Sequence, residues 1–160
     1  MSDVYLLPDE PRPSRWNRFA VSPNGPLLAA MLCGAWLAWP WFAFNAIAMG
    51  SPTRKKEIAW AAVGAAGTLA LAATIAALLA GGYLESRTAI RFALLGVAIW
   101  KLSLCYYVNL VQRRTFEVYR YYGGIVRNAT YVLAIGYYAR SVLIGMTDDP
   151  FWIIILLGGV

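Results

Sequence analysis

Charged side chains in this chain are gathered into short stretches, and the runs between them are long enough to cross a bilayer. No Asp, Glu, Lys or Arg occurs from Phe19 to Thr53 or from Ile58 to Leu84. Only Lys101 interrupts Phe92 to Gln112, and only Arg140 interrupts Asn128 to Thr147. A hydrocarbon core about 30 Å thick takes roughly 20 apolar residues of helix and penalises every charge placed in it. The pattern predicts an all-α integral membrane protein with four transmembrane helices at about 26–49, 58–81, 90–112 and 128–147. A C-terminal apolar half-helix follows in 148–160, as a re-entrant or interfacial segment.

Composition agrees with that class and removes several chemistries. Of 160 residues, 60% are hydrophobic and 14% charged, against about 45–50% and about a quarter in soluble domains. Histidine is absent, so Ser-His, Cys-His and His-metal sites are excluded along with the usual axial ligand of b-type haems. The net charge of +6 sits mostly in short connectors beside the spans, where it reads as attraction to anionic headgroups rather than to nucleic acid. Cys33 and Cys105 both fall inside spans and behave there as small hydrophobes, with neither a disulfide framework nor a metal implied. No cofactor is expected.

Residues 1–25 form a Pro-rich N-terminal tail with Pro8, Pro11, Pro13 and Pro23, too broken to be a long helix, which must pack on a surface to be ordered. Arg12, Arg15 and Arg18 before an apolar run ending Ala46-Ile47-Ala48 resemble a signal peptide, but the run exceeds the 7–15 residues of an h-region, so the first span is expected to be retained. That span carries Trp36, Trp39, Trp41, Phe42 and Phe44, expected to form an interfacial aromatic belt, and Pro40 predicts a kink. In the second span Ala62, Ala66, Ala70 and Thr74 recur at four-residue spacing. Small residues so spaced let backbones approach closely, which makes them candidate helix-packing positions. Arg113 to Arg127, rich in Arg and Tyr and broken at Gly123-Gly124, reads as an interfacial connector. Counting basic residues in the connectors puts the first and third on the cytoplasmic side.

Gly34, Ala43, Asn45, Gly50 and Pro52, followed by Arg54-Lys55-Lys56, carry a resemblance: residues 34–56 are similar to the first-helix pattern of small bacterial multi-pass membrane proteins of unknown function. The resemblance implies a multi-pass protein of the bacterial inner membrane and supplies no activity.

Candidate functional residues come from polarity inside the spans. At 100° per residue Lys101, Cys105, Asn109 and Gln112 fall within an arc of about 80°, a stripe that faces a neighbouring helix, a partner subunit, an anion or water. Lys101 and Arg140 each cost at least about 2.5–3.5 kcal/mol near mid-membrane. No carboxylate lies within a span, since Glu57, Glu85, Glu117, Asp148 and Asp149 all sit at edges. Compensation must come from a partner subunit or polar network, from a water or anion path, from snorkelling, or from loss of the lysine's charge. Asp148-Asp149-Pro150 has the form of a helix start, and a helix over 151–160 would bring the Val160 carboxylate to the depth of Arg140. With no base partner for Lys101, the expectation is a non-enzymatic subunit of an oligomeric or multi-subunit membrane assembly, whose partners are membrane lipids and copies of itself or other membrane subunits. The alternative is a small oligomeric anion channel or transporter in which Lys101 and Arg140 line the path.

Overall fold

The computed structural model describes residues 14–157, and in these it is all-helical, without strands. Six α-helices run in order: α1 Asn24–Leu32, α2 Ala35–Ala48, α3 Arg54–Ala80, α4 Arg87–Tyr121, α5 Thr130–Gly145 and α6 Pro150–Leu157. Two of them, α3 and α4, are long and apolar enough to cross a membrane. At 1.5 Å per residue they extend about 40 and 52 Å.

The remaining predicted spans differ from expectation. Residues 26–49 do not form one kinked helix: the chain breaks at Cys33-Gly34, and Pro40 lies inside α2. The break is set from outside the segment, because Gly34 holds φ at +100° and a Cβ there would collide with the Leu156 carbonyl oxygen of α6. Pro40 still frees the Trp36 carbonyl one turn earlier, but the helix continues through it. The fourth segment, α5, has 16 residues and spans about 24 Å, short of a full hydrocarbon core. Residues 113–121, expected in a connector, continue α4. Their charges interrupt the apolar run without interrupting the helix.

α6 begins where the sequence marks a start, with Asp149 Oδ1 accepting the Phe151 N–H at 2.9 Å. The Val160 carboxylate, which a helix over 151–160 would bring to the depth of Arg140, lies outside the described residues, as does the tail before Ser14. Residues 17–21 lie against the 119–127 region: Tyr119 Oη donates to the Asn17 carbonyl at 2.9 Å, and the Arg127 N–H donates to the Ala20 carbonyl at 2.8 Å.

α3 and α4 pack antiparallel. The Trp100 indole lies against Gly67 and donates to the Gly64 carbonyl at 3.3 Å, and Trp60 meets Tyr107 edge to face at 5.1 Å. From α2, Trp39 covers Gly64 and donates to Thr68 Oγ1 at 3.3 Å. The inward face of α3 is therefore Glu57, Ala61, Gly64, Thr68, Ala72 and Ile75. The candidate packing residues Ala62, Ala66, Ala70 and Thr74 are exposed on this chain. Steps of four drift by 40° per step, whereas mixed steps of three and four hold one face. Alanine is so abundant around α3 that the indoles, rather than the small residues, select the side that packs.

One apolar cluster joins Ala30, Ala35, Ala38, Trp39 and Phe42 of α1 and α2 to Ala61, Cys105 and Val108 of the long pair. A second joins Ala72, Ile75 and Val97 to Ile154 and Ile155 of α6. Lys101 lies on α4 between the levels of these clusters.

Candidate functional site

The polar stripe of α4 is turned into the protein. Lys101, Cys105 and Gln112 are 0% exposed and Asn109 is 4%. The face continues past the sequence-defined stripe through Thr115 and Tyr119, both buried, because helix steps of three and four return to the same side.

At its lower part the stripe is hydrogen-bonded across to α1 and α2. Asn109 Nδ2 donates to Asn24 Oδ1 at 3.2 Å. Gln112 Nε2 donates to the Phe42 carbonyl at 2.8 Å, while its Oε1 accepts from Asn45 Nδ2 at 3.3 Å. Asn45 Oδ1 accepts the Val21 N–H at 3.0 Å, which ties the N-terminal segment to the same network. Gln112 and Asn45 each both give and receive, so burial leaves little uncompensated desolvation there.

Lys101 differs, because its Nζ is buried with no hydrogen-bond partner among the described residues. Its neighbours one turn away, Val97, Ala98 and Cys105, are buried too. A partner's carboxylate reaches this ammonium only if the helices around it part. Arg140 comes from a different helix, α5: it is half-buried, and its Nη1 donates to the Leu32 carbonyl at 2.6 Å. Leu32 ends α1, whose last carbonyls have no partner within the helix, so Arg140 caps that end and complements its dipole. Cys33 beside it donates to the Leu133 carbonyl at 3.6 Å. Arg140 thus fixes α5 to the break between α1 and α2, and it shares no hydrogen-bond partner with Lys101.

Five buried polar residues are not among the sequence-derived candidates: Asn45, Ser51, Glu57, Thr68 and Thr115. Asn45 is the sole polar side chain of α2 apart from the indoles, a usable signal. Glu57 reads as a charge at a span's edge, and only the fold shows that it faces inward. Ser51 Oγ and Thr53 Oγ1 both donate to Glu57 Oε1, the latter at 2.7 Å. Its other oxygen, Oε2, is buried and without a partner among the described residues.

No group of three or more His, Cys, Asp or Glu side chains is gathered among the described residues. Among the described residues a hydroxyl meets a carboxylate where Ser51 and Thr53 donate to Glu57. No family model matches the chain, and neither a curated protein nor a solved structure matches it.

Proposed function

We propose that the protein is a multi-pass integral membrane protein acting as a non-enzymatic subunit of a larger membrane assembly. The reading of a membrane location rests on an inverted distribution: Phe92, Leu95 and Ile99 of α4 and Val63 and Leu69 of α3 are exposed, while the polar stripe of α4 is inside. Lipid contact stabilises such a surface and water does not.

The observation that carries the assembly is α5. Only Gly136 of its 16 residues is buried, and Tyr131, Ile135, Tyr138 and Val142 form one exposed stripe. Tyr138 stands at mid-helix, where a lipid-facing phenol would leave its hydroxyl unsatisfied. A neighbouring protein helix both covers the rings and bonds the hydroxyl. Native mass measurement of the protein released from membranes in mild detergent tests the reading. Oligomers or co-purified subunits are expected, and a monodisperse monomer of full thermal stability overturns it.

A second reading is favoured by the unpartnered Lys101: an anion path past that residue, with Arg140 at its side. Liposome flux of chloride, fluoride and phosphate distinguishes it. Flux no greater than that of Lys101→Ala removes it.

A further inference from the structure

Glu57 belongs to the first turns of α3, and the loop before it carries two hydroxyls that fold over its carboxylate. The arrangement begins as local capping. The Thr53 N–H donates to Ser51 Oγ at 3.2 Å, and the Ser51 and Thr53 hydroxyls donate in turn to Glu57 Oε1. Because α4 continues beyond residue 112, it lays Thr115 against this loop, with Thr115 Oγ1 3.4 Å from Ser51 Oγ. That separation is long for an O–H···O hydrogen bond, whose range is about 2.5–3.0 Å.

The result is a buried cluster of oxygens in which one acceptor is left without a donor. Glu57 is 1% exposed and Ser51 2%, yet Glu57 Oε2 has no partner among the described residues. Those residues offer no cation to it: the one ion pair among them is Arg113 with Glu117 on the surface of α4, and Arg54, Lys55 and Lys56 are exposed. A buried carboxylate oxygen left without a donor or counter-charge is costly.

We propose that Glu57 Oε2, with lone pairs of Ser51 Oγ and Thr115 Oγ1, binds an alkali-metal cation of sodium's size. Oxygens are what hard cations take. An ion that holds oxygens at about 2.3–2.6 Å places neighbouring ligands about 3.3–3.7 Å apart at right angles, which accommodates the 3.4 Å between Ser51 and Thr115. Charge selects the valence. A single carboxylate among neutral hydroxyls is neutralised by one positive charge, whereas a divalent ion would leave excess charge buried beside three basic residues, and calcium sites draw on several carboxylates and six to eight oxygens. The C-terminal end of α2, with its partial negative charge, meets the N-terminal end of α3 in this loop, so the helix dipoles offset one another.

The test is the thermal midpoint of the full-length protein in zwitterionic detergent, titrated with sodium chloride and, at matched ionic strength, with choline chloride. A ligand that binds only the folded state raises its stability with concentration. Sodium should raise the midpoint saturably above choline, Glu57→Gln should abolish the difference, and Thr115→Val should weaken the apparent sodium affinity roughly tenfold, the effect of one lost ligand. Equal midpoints in sodium and choline mean that water or a proton alone meets Glu57 Oε2 and overturn the proposal, as does a full sodium response in Glu57→Gln. Should Glu57→Gln not fold, an unchanged sodium affinity in Thr115→Val overturns it. The result is independent of whether the chain assembles.

Discussion

Gly34 is held at φ +100° and ψ 177°, a region that is essentially open to glycine alone, and a Cβ would also meet the Leu156 carbonyl. Gly34→Ala should therefore cost about 1–3 kcal/mol from the backbone alone, with a further loss as α6 is pushed away, read as a lower midpoint in thermal or denaturant unfolding. Gly96, inside α4 with nothing within 4 Å of where an added methyl would stand, is the control: alanine there should be neutral or stabilising by up to about 1 kcal/mol. Lys101 makes an opposite case, since its ammonium contributes no hydrogen bond among the described residues and its removal strands no partner. Lys101→Met keeps the volume and deletes the desolvation cost, so the variant should unfold at the same or a higher midpoint than the parent. Marked destabilisation would reveal a bound counter-charge that the ammonium holds.

Among the elements, α3 and α4 are legible from sequence because both the length and the polarity of an apolar run lie within the segment itself. Their ends and faces are less so. α4 extends to Tyr121 because its charged turns remain helical, and that extension is what brings Thr115 to Ser51. The break at Gly34 depends on α6, more than a hundred residues away, and no local pattern encodes it. Lys101, Cys105, Asn109 and Gln112 share a side by simple periodicity, whereas Glu57 is buried by the loop at Ser51 and by α4 together. The inward face of α3 is chosen by Trp39 and Trp100 lying on Gly64 and Gly67. Gly67→Val should overpack against the Trp100 indole and cost about 1–3 kcal/mol, while Ala66→Leu, on the exposed side, should leave the unfolding of the single chain within about 0.5 kcal/mol. Equal effects of the two would place the packing face incorrectly.

Across the whole molecule the bonded polar network of Asn24, Asn45, Asn109 and Gln112 lies between α1, α2 and α4, and apolar side chains face outward from the long helices. α5 is fastened at its edge by Arg140 on the Leu32 carbonyl and by Leu37 and Cys33 against Gly136, which leaves most of its circumference for whatever surrounds the protein. Lipid and protein surroundings predict opposite outcomes for Tyr138→Phe, which removes one hydroxyl and almost no volume. If the residue faces acyl chains, losing the hydroxyl relieves a desolvation cost, and the variant should assemble and melt no worse than the parent. If a neighbouring subunit accepts a hydrogen bond from it, as the proposed assembly requires, about 0.5–1.5 kcal/mol of association is lost. That corresponds to roughly a two- to twelvefold weaker dissociation constant. The expected result is a shift of the oligomer-to-monomer transition to higher protein concentration, measured by native mass spectrometry across a dilution series, with the thermal unfolding of the monomer unchanged. An unshifted transition would put this face of α5 against lipid and move the search for a subunit interface to the exposed alanine face of α3.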